Sequence, residues 1–297
     1  MSLRSIFQRR PPELQVRIAT PSDRPALQRL FYHGRRVHLL LEWWDWEEWL
    51  GWPTFLLALE GEQPVALLLA VPEAGATAWI RAAATILSRD DEQVWSALLQ
   101  RCRDALPSLG IARLAYLGDD LWLVPALVHQ GFQRVNQVIT LERTGRALPP
   151  IPIPPNTTVR IRPATRRDIP AIVGVDQAAF PPLWWYSEMV LQRALLQAHH
   201  FLVAERGQKV VGYQFSTLRK RHGHIVRLAI HPAYQRQGIG RRLLLEALHT
   251  LARAGATEVT VNTQEDNDAS RRLYDRLAFH PLGHRVGVWM WQSGGMS

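Results

Sequence analysis

Along the second half of the chain, apolar and polar positions alternate with the period of strands and then shift to the period of a helix. Alternating runs at Thr158–Arg162, Phe201–Glu205, Val210–Leu218 and His224–Ile230 read as strands, with a turn at Gly207 between the second and third. A helical region lies between the first two runs and extends to about residue 199, broken near Pro181-Pro182. Leu244, Ala247, Leu248 and Leu251 share one face of a helix from about Gly240 to Ala254, and Gly255 supplies its stop. A strand at Glu258–Thr263, a helix from about Asp268 to Leu277, and a closing pair at Phe279–Pro281 and Arg285–Trp291 follow. The order is that of a mixed α/β domain: an antiparallel meander first, one helical crossover afterwards.

The first half carries the same pattern. Val16–Leu27 aligns without gaps on Ile161–Ile172, with six of twelve positions identical at an offset of 145. Ile80-Arg-Ala-Ala-Ala84 matches Val226-Arg-Leu-Ala-Ile230 at 146, and Gly131-Phe132 matches Ala278-Phe279 at 147. Near-constant spacing across three landmarks points to a duplication. Both starts run from a short strand into a Thr-x-x-Asp helix entry, close to a capping box. The copies span 14–144 and 158–297, joined at 145–157 by a stretch whose prolines favour an extended linker.

Charge divides unevenly between them. From Thr158 onward the chain has 19 Lys+Arg against 10 Asp+Glu, and the rest has 16 of each, so the whole net charge of +9 lies in the second copy. An anionic partner, phosphate above all, is expected there. The single cysteine, Cys102, rules out an internal disulfide and a thiolate metal cage, and reads as a small buried helix residue. No apolar run approaches the roughly 18 residues of a membrane span, and no apolar segment follows Arg4, Arg9 and Arg10 as a signal peptide would require. A cytoplasmic protein with neither metal nor membrane partner is the expectation.

The chemistry concentrates in Leu228-Ala-Ile-His-Pro-Ala-Tyr-Gln-Arg-Gln-Gly-Ile-Gly-Arg-Arg242. A strand leads through a proline turn and two glycines into an amphipathic helix. Unpaired amides and the positive dipole end of a helix start bind phosphate, and residues without Cβ let main-chain nitrogens come close. Arg236, Arg241 and Arg242 add positive charge. The Gly-Lys-Ser/Thr of a Walker loop is absent.

This stretch resembles motif A of the GNAT superfamily of N-acetyltransferases, with Gln235, Gly238 and Gly240 at the diagnostic places. Asn267-Asp-Ala-Ser-Arg-Arg-Leu-Tyr274 with Ala278-Phe279 is similar to the family's Asn-x-x-Ala…Leu-Tyr…Gly-Phe segment, alanine replacing the usual glycine. The resemblance covers roughly Arg160 to Trp291 and implies two tandem GNAT-like α/β domains, each a mixed, mostly antiparallel sheet flanked by helices. It implies acetyl-CoA as cosubstrate, held by Leu228, Ala229 and Ile230 through main chain along the pantetheine, by Asn267 on the same arm, and by Gln235, Arg236, Gln237, Gly238, Ile239, Gly240 and Arg241 around the pyrophosphate. Tyr274 would lie at the thiol.

The implied reaction is attack of a primary amine on the thioester. At a pKa near 10.4 about one amine in a thousand is neutral at pH 7.4, so a base must take its proton. By resemblance the Ile230 N–H receives the developing oxyanion. Tyr274 suits protonation of the leaving thiolate, since phenol and thiol differ by about 1.5 pKa units, roughly 2 kcal/mol. Many relatives carry a basic glutamate on one of the two strands at the site. Here the first reads His224-Ile-Val-Arg-Leu-Ala-Ile230 and Asn262 stands on the second, leaving His224, with His222 behind it, as the candidate imidazole bases. Pro181-Pro-Leu-Trp-Trp-Tyr186 lies where acceptor sites of the family are found, as an aromatic wall or as core.

In the first copy Arg89-Asp-Asp-Glu-Gln-Val94 falls opposite Gln235–Gly240, with Glu92 for Gly238 and Val94 for Gly240, and Leu127 opposite Tyr274. Carboxylates at a pyrophosphate position repel it, so no CoA is expected there. The Trp43-Trp44-Asp-Trp46-Glu-Glu-Trp49-Leu-Gly-Trp52 block reads as a helix turning tryptophans inward. The function implied is acetyl transfer to a primary amine of a small molecule or a protein N-terminus; the alternative is a catalytically silent acyl-CoA-binding sensor or scaffold. The second copy is also similar to ribosomal-protein alanine acetyltransferases through Val210-Val-Gly-Tyr213, while antibiotic and thiol-precursor acetyltransferases set the small-molecule precedent. A nucleic-acid partner is not expected; a homo-oligomer is left open.

Overall fold

The computed structural model describes residues 13–41, 43–88, 92–145, 147–151 and 159–294. Most of the linker (152–157) and the acidic start of the first copy's degenerate loop (89–91) lie outside the described residues. Contacts divide the chain into two compact units. One holds the chain up to Pro72, Ala76–Gln133 and the residues from Trp289 onward; the other holds Glu73–Gly75 and Arg134–Val288.

In the first unit, β1 (Leu14–Ile18) leads into α1 (Arg24–His33) and β2 (Arg36–Leu39). Strands β3 (Phe55–Glu60), β4 (Gln63–Glu73) and β5 (Thr77–Thr85) form the meander, followed by α2 (Glu92–Ala105), β6 (Arg113–Leu117) and α3 (Val124–His129). The sheet runs β1-β3-β4-β5-β6, with β5 and β6 parallel. Leu98, Leu99 and Cys102 of α2 pack on one face; Leu27, Leu30 and Phe31 of α1 pack on the other. Cys102 is fully buried, as expected, and burial pushes its thiol up to about 12.

The tryptophan block does not form the helix expected of it. It makes a single 3-10 turn, Trp46–Trp49, capped by Asp45 through the Glu47 N–H. Trp46 and Trp49 do turn inward, held edge-on against Phe55 and Trp52, and large rings gripped by tertiary contacts override the local period.

The second unit repeats the plan. Strands β7 (Gln133–Thr144) and β8 (Val159–Pro163) precede α4 (Ile169–Ala179) and α5 (Glu188–Gln197). The meander β9 (His200–Arg206), β10 (Lys209–Arg219) and β11 (His222–Ile230) runs into α6 (Ile239–Arg253), β12 (Glu258–Gln264), α7 (Asp268–Asp275) and β13 (His280–Gln292). Its sheet is ordered β8-β9-β10-β11-β12-β7-β13, with β11 and β12 parallel. The expected face of α6, Leu244, Ala247, Leu248 and Leu251, is buried, and Gly255 ends the helix at φ 92°.

Two strands depart from the sequence reading. The closing pair is one long strand, β13. The place its second member would fill is taken by β7, which belongs by sequence to the first copy yet pairs with β12, Thr140 opposite Asn262. Conversely, Trp289 onward joins the first unit, where the Trp289 indole donates to the Gly118 carbonyl at 3.0 Å and the Ser293 N–H to that of Ala112. The last strands are thus exchanged between the copies, a substitution of like for like that local pattern cannot reveal.

The duplication itself is repeated atom by atom. Arg17 grips Asp23 with two bonds of 2.6 Å, and Arg162 grips Asp168 at 2.8 and 2.7 Å. Thr20 and Thr165 donate main-chain N–H and hydroxyl to the same carboxylates. The Arg partners hold both aspartates at about 2. A depressed carboxylate stabilises fully above its unfolded value and loses that stability as pH falls through its folded one. Each pair therefore contributes on the order of 2 kcal/mol near neutrality, lost between about pH 4 and 2. The share of Asp23 is smaller, because Arg17 is 39% exposed against 24% for Arg162. Urea titrations across that range should show the acid-side loss shrink in Asp168→Asn.

Candidate active site

The residues expected to hold the cofactor gather where β11 and β12 separate. Their parallel pairing runs from His222 opposite Glu258 to Ile225 opposite Val261 and stops, although both strands continue. A register shift against β10 at Phe215/Ser216 bulges β11 at Val226 and turns its path. The His231 N–H donates to the Val211 carbonyl, so by antiparallel alternation Arg227 and Ala229 bond to β10 while Leu228 and Ile230 turn their amides and carbonyls to the separated edge. Two of the three strand residues expected to meet the cofactor thus turn main chain to the separated edge. Ala229 faces the other way. The Ile230 carbonyl is taken by the Gln235 side chain at 3.0 Å, which leaves its N–H as the group on offer and ties the following loop to the strand.

That loop ends on Gly238, at φ 80°, preceded by Arg236 at φ 60°. Successive left-handed and right-handed residues curl the main chain into a concavity of N–H groups. The first intrahelical bond is Arg242 N–H to Gly238 O at 3.0 Å, so the amides up to Arg241 have no helical acceptor. Buried Ile239 anchors the turn. A Cβ on Gly240 would touch Ile230 and Leu273 at ordinary distances of 3.6 and 3.7 Å, so the glycine leaves clearance on the approach side rather than relieving a clash within the protein. Arg242, expected among the phosphate cations, instead donates to the Val159 carbonyl and secures β8. Gln237 reaches Arg206 and the Ala233 carbonyl, each at 3.4 Å.

Asn267 caps α7 by accepting from the Ser270 N–H, and its amide reaches Gln264 at the end of β12. Tyr274, two turns further, is 5% exposed and rests on Phe279 at 5.5 Å. Burial raises its phenol above the ordinary value, against the opposing pull of Arg227, so it stays protonated through neutrality but is a weaker acid than the ordinary phenol whose match to a thiol the sequence suggested. Tyr274→Phe should leave acetyl-CoA affinity within twofold and lower kcat by about a hundredfold or more; unchanged kcat in a thiol-release assay removes the role.

His224 is not brought to this place. Its Nδ1 lies 2.9 Å from the Thr260 hydroxyl, at the paired end of the two strands. At about 3.3 Å per residue it stands roughly 20 Å along β11 from Ile230. His222 forms a surface pair with Glu258 at 2.7 Å.

The sequence reading missed a buried network beside the site. Asp176 of α4, fully buried, accepts from Arg227 Nε at 2.9 Å, from the Tyr213 hydroxyl and from the Tyr186 N–H at 2.9 Å. Arg227 also donates to the Trp184 carbonyl at 2.6 Å, and its guanidinium lies 3.6 and 4.4 Å from the ring centres of Phe180 and Tyr186. The Pro181–Tyr186 loop is thereby fastened to the bulge of β11. Burial, then the Asp176 charge, drives the Tyr213 phenol well up. A lone aspartate in an apolar helix and a lone arginine in an apolar strand were the available signals.

The first unit shows the same geometry closed. Pairing of β5 with β6 ends at Ile80 opposite Tyr116, and the edge of β5 beyond it is taken by β2, from Leu39 opposite Ala82 to Arg36 opposite Thr85. Ala82–Ala84 are the residues that align with Leu228–Ile230. His38 of β2 is latched 2.9 Å from Asp120, whose carboxylate also takes the Tyr116 hydroxyl. At the helix mouth Glu92 opens α2, pairs with His129 at 3.0 Å, and occupies the place of Gly238. At the offset of 145, β2 falls opposite Pro181–Trp184, and prolines, lacking N–H, cannot join such an edge.

Residues 169–279 match the model of the acetyltransferase (GNAT) family. The chain is 31% identical over 133 residues to an N-alpha-acetyltransferase of Sulfurisphaera tokodaii, covering 40% of this chain and 79% of that protein. It is 27% identical over 253 residues to a mycothiol acetyltransferase of Mycobacteroides abscessus, covering 75% and 80%. With the mycothiol acetyltransferase of Gordonia bronchialis it shares 28% over 202 residues, covering 62% of this chain and 64% of the relative, just under two thirds of its length. The chain belongs to the GNAT family of acetyltransferases. Two solved structures share its fold: a GNAT protein from Sphaerobacter thermophilus (TM-score 0.63, 17% identity, 94% and 95% coverage) and a tandem GNAT protein of the clavulanic acid pathway (0.63, 14%, 96% and 100%). Both copies are therefore acyltransferase folds, and acetyl-CoA is the cosubstrate of their class.

Proposed function

We propose that the second unit binds acetyl-CoA along the separated edge of β11 and transfers the acetyl group to a primary amine. The observation that carries this reading is the contrast between the copies: main chain at Leu228 and Ile230 is open and leads to a glycine turn at a helix mouth, whereas β2 fills the matching edge of the first unit. The amides from Arg236 to Arg241 would hold the pyrophosphate, Leu228 and Ile230 the pantetheine, and the Ile230 N–H the oxyanion. Tyr274 would return a proton to the sulfur.

A small-molecule amine is the acceptor we favour. The alignment with the Mycobacteroides relative covers 253 residues, more than one copy can supply, whereas that with the Sulfurisphaera protein covers 133. A protein N-terminus is the second acceptor class. A silent acyl-CoA binder is the competing reading, favoured by Asn262 bonding Thr140 where relatives place a glutamate. Acetyl-CoA titration followed by an amine screen for free thiol separates them. Binding with no thiol release for any amine supports the silent reading; no binding defeats both.

A further inference from the structure

We propose that β2 is a releasable strap in the first unit, closing a slot that takes an extended, amide-bearing chain without phosphate, of the pantetheine type, when the strap lets go. The strap lies outside the proposed transfer site, and its identification rests on reading the matching edge of β11 as the place of the cofactor arm.

The same departure of strands builds both edges. β5 and β6 part beyond Ile80 and Tyr116, as β11 and β12 part beyond Ile225 and Val261. In the second unit Leu228 and Ile230 turn main chain to that edge. In the first, the four residues of β2 lie along it, from Arg36 opposite Thr85 to Leu39 opposite Ala82. The Arg35 N–H donates to the Thr85 carbonyl at 2.9 Å and the Leu40 N–H to the Arg81 carbonyl at 2.7 Å. An edge that bonds a strand through such groups bonds any extended chain carrying amides, and amides are what a pantetheine arm carries.

One side chain of β2 meets the residue that stands where the arm contact of the second unit is expected. His38 Nδ1 lies 2.9 Å from the Asp120 carboxylate, and Asp120 matches Asn267 at an offset of 147. Both open a helix: Asp120 accepts the Val124 N–H at its carbonyl, and Asn267 accepts the Ser270 N–H at its side chain. The His38 bond, above all, holds the Asp120 carboxyl below its usual range. Strand and latch thus take the places of the arm's amides and of its contact at the helix start.

The seat of β2 is imperfect. The strand pairs with β5 alone among the described strands, so one short ladder and one latch hold it. His38 is 7% exposed, yet its Nε2 has no partner among the described residues. A buried ring nitrogen without a partner regains a hydrogen bond in water, which favours release. Leu39 is already 48% exposed, so its departure uncovers little apolar surface. A short edge strand held in this way opens by itself, ahead of the sheet. Glu92, at the start of α2, repels phosphate, which limits the slot to chains that carry none.

The test is hydrogen exchange followed by mass spectrometry on full-length wild type and Asp120→Asn, each alone, with millimolar pantetheine and with acetyl-CoA. Asparagine keeps an acceptor for His38 but gives up the charge that strengthens the latch. Peptides covering Arg35–Leu40 should exchange about a hundredfold faster than those of β4 in wild type, and about tenfold faster again in Asp120→Asn. Pantetheine should speed exchange at Arg35–Leu40 and slow it at Arg81–Thr85, opposite movements that a ligand seated elsewhere does not produce. Acetyl-CoA should move neither segment and should instead protect Leu228–Ile230. Exchange of Arg35–Leu40 only with unfolding of the whole protein overturns the strap, and so does pantetheine that moves both segments alike or not at all. Acetyl-CoA acting at Arg81–Thr85 overturns the ligand class. Acetyl-CoA that leaves Leu228–Ile230 unprotected overturns the reading of the β11 edge on which the strap rests, a failure told apart because it is read at another segment.

Discussion

Gly238→Glu should abolish the thermal stabilisation that acetyl-CoA gives the wild-type protein. At 100 times Kd a ligand stabilises its protein by about 2.7 kcal/mol, so the loss reads as several degrees of Tm. Two effects combine. Gly238 sits at φ 80°, where a side chain costs about 1–2 kcal/mol in the ligand-bearing conformation. The new carboxylate would also stand at the mouth of α6, opposite the phosphates. Crowding is not the cause, since a Cβ at Gly238 meets nothing within 4 Å. Gly238→Asn separates the two contributions, because asparagine tolerates the left-handed region and brings no charge. It should weaken binding by less than tenfold, and Gly238→Glu by more than a hundredfold. Isothermal titration with acetyl-CoA decides; equal affinities would place the phosphates elsewhere.

The second large effect is structural. Asp176→Ala leaves the Arg227 guanidinium buried without its counter-ion, and Tyr213 and the Tyr186 amide without their acceptor. Removing one partner of a buried pair costs about 3–5 kcal/mol, so the urea midpoint should fall steeply with unchanged slope. Replacing the set together, as Asp176→Leu, Arg227→Met and Tyr213→Phe, should return much of that stability, because no buried charge is left to compensate. The triple variant should still turn over poorly, since the Pro181–Tyr186 loop is no longer held to the bulge. A single variant that unfolds like wild type would show that water reaches the pair.

How much of this was legible depends on the range of the interaction. The α6 face, the Gly255 stop, the Gly238 turn and the Arg-Thr-Asp entry of each copy are local, and spacing gave them away. His224 could not be located from the sequence, because a strand pattern does not say where a neighbour departs; the pairing that ends at Ile225 sets it beside Thr260. The Trp43–Trp52 block has a helix-like period but is organised by Phe31 and Phe55, which lie outside it. Asp176 with Arg227, β2 in its slot, and the exchange of last strands all join residues dozens to hundreds of positions apart, where periodicity is silent. Even so, one local sign of the slot was present. Pro181 and Pro182 stand in the second copy where Arg36 and Val37 stand in the first, and proline is the residue that an open sheet edge cannot recruit.

The strand exchange bears on how the chain is made. A ribosome that has released residue 144 has delivered every helix of the first copy, yet the outer edge of β6 still waits for Trp289–Gln292, which emerge only after the whole second copy. Translation alone cannot finish the first copy before the second, and that nascent edge, with its unpaired amides, calls for a shield in the interval. Severing the chain in the proline stretch should accordingly yield not two independent proteins but two fragments that each recover their sheet only by meeting the other.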